Sequence, residues 1–222
     1  MSIVMTQTHG QIEIPVWVND LASFRKWVHS GVLPEKLKVH YLNGQVWVDI
    51  SMEELNSHNR VKQALYMALG RLIEEGDLGN VICDGMRYTS VEGDFSTEMD
   101  AAFVSHATLA AERVWFESGK RGKATEMVGT PDLVVEIISR TSVDKDEEWL
   151  FSQYWYAGIP EYWVIDARGD EIAFDIYKRT AKGFTAVRKT DGWAKSMALG
   201  KEFLLTRREP QNAIVTYALE SR

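Results

Sequence analysis

A single cysteine, Cys83, leaves this 222-residue chain no intramolecular disulfide and points to a reducing compartment. No apolar stretch approaches the ~18–20 residues that a membrane-spanning helix needs. The first twenty residues have neither a basic start nor a long apolar run, so no signal peptide is expected. Together these absences lead to the expectation of a cytoplasmic protein without a membrane partner. Internal repeats and low-complexity tracts are missing, as are Cys or His clusters and recognition-helix or finger motifs. Positive charge is also scarce, with 25 Lys and Arg against 32 Asp and Glu, a net charge of −7. That balance argues against a surface that grips nucleic acid everywhere, while a local basic groove around an acidic site stays compatible with it.

What is present is enough for one well-buried core. The apolar fraction of 45% and charged fraction of 26% are those of an ordinary globular protein, and eight each of Trp, Tyr and Phe weigh against disorder. Residues 38–50 read as a β-hairpin about Asn43-Gly44, a pair suited to a type I′ turn, with Val46 and Val48 on one face and Trp47 and Asp49 on the other. Ser51, with Glu54 three residues on, has the pattern of a capping box. A long helix is expected after it, with Leu55, Val61, Leu65, Ala68 and Leu72 at helical spacing and Gly76 and Gly79 as stops.

Residues 81–91 are rich enough in β-branched and aromatic side chains to predict one strand, and the apolar run 101–104 predicts another. Residues 117–130 read as a loop or irregular hairpin. The segment 132–139, Asp-Leu-Val-Val-Glu-Ile-Ile-Ser, is nearly all apolar, which predicts a central strand buried on both faces. A second helix is expected over 142–157, stopped by Gly158 and Pro160, and then a strand over 162–167. A strand, helix and strand in succession imply a right-handed crossover and a parallel pair. Residues 172–205 read as an antiparallel extension with turns at Lys182-Gly183 and Asp191-Gly192.

Glu136 stands out within this pattern. A carboxylate in the middle of a buried strand is costly unless it is paired, protonated or bound to a metal. Its two readings are therefore a partner for a core cation, or a metal ligand or general base. Asp132 is a poor companion for it in a metal site, because four residues along a strand span about 13 Å and an ion such as Mg²⁺ holds its ligands at about 2.1 Å. Asp132 reads instead as a cap on the preceding loop. Asp100, at the start of a short strand that could lie beside the Glu136 strand, fits the second-ligand position better. Its alternative is a turn residue in an acidic loop with Asp94 and Glu98.

Several segments carry a family resemblance. They are Gly-Thr-Pro-Asp-Leu-Val-Val-Glu-Ile-Ile-Ser over 129–139, Ser142, Lys145-Asp146, Tyr154, and Ala-Gly-Ile-Pro-Glu-Tyr-Trp-Val-Ile-Asp over 157–166. Met-Asp-Ala-Ala-Phe-Val-Ser over 99–105 belongs with them. In this order the elements resemble the PD-(D/E)XK nuclease core, and the chain resembles more specifically the Uma family of restriction-endonuclease-like proteins over about residues 41–205. The fold so implied is α/β (α+β): a nuclease-like core with a central mixed sheet flanked by helices and antiparallel β extensions. It would form a single domain over 1–222, with its core at about 38–205.

The resemblance implies an endonuclease that hydrolyses DNA by metal-activated water, with Asp100 and Glu136 as ligands of Mg²⁺ or Mn²⁺ and the backbone carbonyl of Ile137 completing the site. Oxygen-only ligands suit such hard ions. Cutting both strands would suit a homodimer. The family's motif lysine, two residues beyond the glutamate, is replaced here by Ile138, and a lysine found further along the second helix by Leu150. Lys145 is the candidate catalytic lysine, and its alternative is a solvated lysine among Asp144, Asp146, Glu147 and Glu148. Glu54 and His58, four apart on one helix face, are open both to site roles and to plainer ones, a cap for Glu54 and a surface or core histidine for His58. Gln45 stands where relatives often carry an acid. Arg60, Lys62, the basic run 120–123 and Arg207-Arg208 could meet phosphates or simply be solvated. Two further functions compete with the nuclease: a nuclease-fold binding or regulatory module without catalysis, motivated by Ile138 and Leu150, and a carboxylate-pair glycoside hydrolase, which ranks low.

Overall fold

The structure is a computed structural model. It describes all residues except 1–2, 8–9, 35–36, 50–53, 119–121, 140–148 and 210–213. Along the chain lie β1 (Ile3–Gln7), β2 (Gly10–Ile14), α1 (Leu21–Val28), β3 (Lys38–Leu42), β4 (Gln45–Asp49) and a π-helical turn (Leu55–Asn59). The turn leads into α2 (Arg60–Glu75), followed by β5 (Gly79–Cys83), β6 (Arg87–Ser90), β7 (Phe95–Glu98), β8 (Ala101–Ser105) and α3 (His106–Ala110). After these come β9 (Val114–Ser118), β10 (Ala124–Gly129), β11 (Leu133–Ile137), α4 (Leu150–Tyr156), β12 (Glu161–Asp166) and β13 (Ala173–Thr180). The chain closes with β14 (Gly183–Ala186), β15 (Ala194–Lys195), β16 (Glu202–Arg208) and β17 (Thr216–Ser221).

Two six-stranded sheets carry the fold, in the orders β4-β3-β7-β6-β10-β9 and β14-β13-β12-β11-β8-β5, with a three-stranded sheet β15-β16-β17 beside them. In the second sheet β11 and β12 run parallel, as the strand-helix-strand pattern predicts, while β8 pairs antiparallel with both β11 and β5. This is the mixed sheet with antiparallel extensions read from the sequence, and β13 and β14 form the expected hairpin.

Strand β11 is central and buried on both faces. Leu133, Val135 and Ile137 join one core with Phe103, Trp163, Ile165, Phe203 and Leu205, onto which α2 lays Val61, Leu65, Leu69 and Ile73. Those four helical residues recur every four positions, and burying each contributes roughly 1.5–3 kcal/mol. Val134 faces the opposite core, where Ala102, Val104 and Tyr162 meet Leu42, Tyr88, Phe95 and Met127 of the other six-stranded sheet and Leu150 and Tyr154 of α4. A third cluster packs Phe24 and Trp27 of α1 against Val39 and Tyr41.

The hairpin of β3 and β4 turns through Asn43 (φ 46°) and Gly44 (φ 80°), both left-handed as a type I′ turn requires. Val46 and Val48 pack toward the α1 cluster and Trp47 toward the α4 side, matching the expected alternation. Three details differ from the sequence reading. Residues 81–91 form two strands in different sheets, because the chain turns at Asp84 and Gly85 (φ 88°). The helix expected after Ser51 begins at Leu55, with Glu54 itself as N-cap, accepting from the backbone N–H groups of Asn56 (2.8 Å) and Ser57 (2.5 Å); Ser51 lies outside the described residues. Leu55 is exposed rather than part of the buried stripe. The second helix is seen from Leu150, its expected start lying outside the described residues.

Candidate active site

The carboxyl ends of the parallel pair β11 and β12 lie beside the amino end of β8, and ligands of open α/β sheets gather at such carboxyl ends. The β8–β11 register runs from Leu133 opposite Phe103 to Val135 opposite Ala101. Asp100 stands one residue before Ala101 and Glu136 one residue after Val135, so both follow on directly from the last paired rung. A direct link closes this corner: the backbone N–H of Ile137, the residue after Glu136, donates to Asp100 Oδ2 at 2.7 Å.

Asp100 is approached from α2 and from the π-helical turn before it. Lys62 Nζ lies 3.0 Å and His58 Nε2 3.4 Å from its Oδ1, and Tyr66 donates its hydroxyl to the Asp100 carbonyl at 2.5 Å. His58, Lys62 and Tyr66 recur every four residues, so they share one helix face. Lys62 also meets Asp84 Oδ2 at 2.8 Å, and Tyr66 accepts from the Asp84 N–H at 2.9 Å. Asp84 stands just past the end of β5, whose Cys83 pairs with Ala101.

Charge in this cluster is fixed by opposition between burial and pairing. Burial works against ionisation of Asp100, yet His58, Lys62 and the Ile137 N–H outweigh it and hold its carboxyl well below the usual carboxylate range. Burial likewise disfavours charge on Lys62, and the neighbouring Asp100 and Asp84 overcome it and raise the ammonium above its ordinary value. Lys62, only 5% exposed, thus bridges Asp100 at 3.0 Å and Asp84 at 2.8 Å.

Glu136 is 2% exposed and is met from the other helix. Tyr154 of α4 donates its hydroxyl to Glu136 Oε1 at 2.5 Å. Burial and the adjacent carboxylate push the Tyr154 hydroxyl well above its ordinary pKa, so it remains a donor. The two carboxylates thus sit at one end of the β8–β11 pair, Asp100 held from α2 and Glu136 from α4. Among the described residues no group of three or more His, Cys, Asp and Glu side chains gathers as a ready-made metal cage. An ion here would rest on two carboxylates plus backbone or solvent oxygens.

Lys145 lies outside the described residues. Ile138 and Leu150 are both fully buried core residues. Asp132 is at the far end of β11, accepting from the Ser105 N–H (2.7 Å), the Thr108 hydroxyl (2.7 Å) and Arg113 Nη2 (2.8 Å), so its carboxylate ties the end of β8, α3 and Arg113 and not the loop before its own strand. Gln45 is exposed at the start of β4. Arg60 is bound to Gln63, and Arg207 to Gly169 and Glu209, while Arg208 is exposed. Lys62, grouped with these cations in the sequence reading, is instead buried in the site, and Asp84 and Tyr66 had not been singled out. For Tyr66 the signal is the period of four from His58 through Lys62 along an amphipathic helix; Asp84 carries none. Arg168, clamped by both oxygens of Asp166 at 2.9 and 2.7 Å, adds a half-buried cation just past the end of β12.

Residues 21–203 match the model of the family Uma2, described as "Putative restriction endonuclease". Among solved structures, a "putative nuclease belonging to DUF820" from Anabaena variabilis ATCC 29413 is similar with a TM-score of 0.57. That likeness covers 82% of this chain and 90% of the other at 17% identity, and so concerns the fold alone. No curated protein matches.

Proposed function

The chain belongs to the Uma2 family, and we propose that it is an endonuclease that hydrolyses DNA phosphodiester bonds with Mg²⁺ or Mn²⁺ held by Asp100 and Glu136. The observation that carries this reading is the corner where β8 meets β11: Asp100, just before the paired Ala101, accepts from the N–H of Ile137, the residue after Glu136. The donor set suits the ion. Both side chains offer oxygen only, as hard divalent ions prefer. A carboxylate has about four lone-pair sites, and the contacts of Asp100 with Lys62, His58 and Ile137 leave it room for one more partner.

When bound, such an ion polarises a phosphodiester and lowers the pKa of a coordinated water. The chain's own residues prepare for it. Lys62 and His58 keep Asp100 ionised and fix its Oδ1. Tyr154 aims Glu136 by a hydrogen bond to one oxygen. The packed cores on both faces of β11 hold the strand that presents it.

The test is cleavage of supercoiled plasmid by the full chain with Mg²⁺ or Mn²⁺. Nicking or cutting is expected from the wild type, with a loss of at least about 100-fold in Asp100→Asn and in Glu136→Gln, the scale of removing one group that stabilises developing charge. A second reading, a nuclease fold that binds nucleic acid without cutting it, is favoured by Ile138 and Leu150, both fully buried at the two positions where the family resemblance calls for lysine. Protein that retains plasmid in a mobility shift yet leaves it intact with either ion would establish that reading instead.

A further inference from the structure

Among the described residues Lys62 is the lysine that pairs with Asp100, and its burial calls for a cause. Lysine is almost never fully buried unless paired. Its helical neighbours Val61, Leu65 and Leu69 are fully apolar core residues, so an apolar side chain would suit the surroundings. A buried ion pair is also weak evidence for stability, because replacing it by hydrophobic residues is often neutral or stabilising. The bridge Asp84-Lys62-Asp100 is therefore better explained by the site than by the fold.

Position agrees with this. Lys62 Nζ is 3.0 Å from Asp100 Oδ1 and 2.8 Å from Asp84 Oδ2, so two anionic groups from two chain crossings fix one ammonium beside the candidate metal ligand. Lys38 Nζ, 3.7 Å from Asp84 Oδ2, adds a second cation behind it. Attack on a phosphodiester builds negative charge on phosphate oxygens, and fixed cations in water-poor sites stabilise that charge. The strand that bears Glu136 brings no such cation at Ile138, and α4 brings none at Leu150.

We propose that Lys62, clamped by Asp84, is a lysine of this site: beside Asp100 it supplies a positive charge that, among the described residues, Ile138 and Leu150 do not. This inference rests on the endonuclease reading above. It assigns Lys62 as the fixed cation that meets the developing phosphate charge beside Asp100, and Asp84 as the anchor that keeps its ammonium in place.

The test uses the full chain with Lys62→Gln, which keeps hydrogen-bond donors and loses the charge, Lys62→Arg, which keeps the charge, and Lys145→Met. Three quantities are read: plasmid cleavage resolved into kcat and KM, Mn²⁺ affinity by calorimetry, and thermal melting. In Lys62→Gln, kcat is expected to fall at least about 100-fold with KM within about threefold. Mn²⁺ should bind no more weakly, and up to roughly tenfold more tightly, since one positive charge no longer opposes a divalent ion a few ångströms away. Lys62→Arg should keep about a tenth or more of wild-type kcat. A merely structural lysine would behave differently: Mn²⁺ affinity and melting temperature would fall together with activity, and Gln and Arg would be equivalent, which overturns the proposal. Cleavage near wild type in Lys62→Gln, or cleavage lost in Lys145→Met and kept in Lys62→Gln, overturns it as well. Should Lys62→Gln not fold, an inactive Lys62→Arg that melts like wild type decides against it, and an active one supports it. If the wild type binds Mn²⁺ through Asp100 but cuts no DNA, the endonuclease reading fails, and Lys62 is judged on Mn²⁺ alone: weaker binding in Lys62→Gln overturns its assignment, tighter binding supports it.

Discussion

Replacing Tyr154 by Phe removes one oxygen atom and leaves the α4 core otherwise filled, since the ring keeps its edge contacts with Phe95 and Tyr162. The lost oxygen is the one that donates to Glu136 Oε1 at 2.5 Å, both partners being almost fully buried. A hydrogen bond to a charged group contributes about 1.5–3 kcal/mol, so stability should fall by that amount. For a chain of this length each kcal/mol moves the melting temperature by roughly 2–4 °C, which gives an expected drop of about 3–12 °C. The specificity of the effect lies in a double-mutant cycle. In a Glu136→Gln background the carboxylate charge is gone, and the same Tyr154→Phe change should cost only about 1 kcal/mol, leaving a coupling of at least about 0.5 kcal/mol. Urea unfolding of the four proteins measures it, with an unchanged slope showing that the denatured states are comparable. Plasmid cleavage adds a second readout, because Glu136 would lose the bond that aims it. Equal cost in both backgrounds, or a Tyr154→Phe protein with wild-type stability and cleavage, would refute the view that α4 holds Glu136 in place.

Asp132→Ala should lower stability by about 2–3 kcal/mol, because it strands the Ser105 N–H, Thr108 and Arg113, while plasmid cleavage measured well below the melting point stays within a few fold of wild type. Abolished cleavage in a folded Asp132→Ala protein would return this residue to the site. Acid sensitivity should reside partly in Glu126, a buried carboxyl of β10. Burial opposes its charge, but hydrogen bonds from His29, Arg25 and Thr89 lower its pKa from 4.5 to about 2. A depressed folded-state value stabilises above the unfolded value and is lost as pH falls, so the window is about pH 4.5 down to pH 2. Discounted for its partly exposed partners, the contribution is on the order of 2 kcal/mol. Urea midpoints at pH 7 and pH 2.5 should differ more for wild type than for Glu126→Gln, and parallel pH dependence of the two proteins would contradict it.

The parts of this structure that could be read from the sequence are those where local chemistry and tertiary role coincide. Asn43-Gly44 permits a left-handed pair, and a hairpin forms there. The apolar run about Val134 leads to burial on both faces, and Gly158 with Pro160 ends α4 before β12. Residues 81–91 were misleading because both halves are β-rich, and only the turn at Asp84 and Gly85 sends them to different sheets. The opening helix α1 was not read, although Asp20 and Ser23 form a reciprocal capping box before it, with Ser23 N–H donating to Asp20 Oδ1 at 2.7 Å. Asp100 and Glu136 were accessible because a strand register can be inferred from pattern. Lys62 was not, since its anions come from Asp84 and Asp100, residues 22 and 38 positions away in the chain, whose proximity only the sheet order creates.

The sheet order also explains why the polar site is where it is. The chain passes directly from one six-stranded sheet to the other between β5 and β6, between β7 and β8, and between β10 and β11, and an aspartate stands at each passage: Asp84, Asp100 and Asp132. A backbone leaving one ladder for another exposes N–H groups that no strand satisfies. Short acidic side chains meet that need, as Asp100 does for Ile137 and Asp132 for Ser105. The β5–β6 and β7–β8 passages lie at one end of β8, because Cys83 pairs with Ala101, and the β10–β11 passage lies at the other, because Leu133 pairs with Phe103. Two aspartates therefore converge at the Glu136 end of β11, enough negative charge to draw in a buried cation. The third is isolated beside Arg113 at the opposite end. Asp132 thereby serves the fold, while Asp84 and Asp100 meet Lys62 in the candidate site.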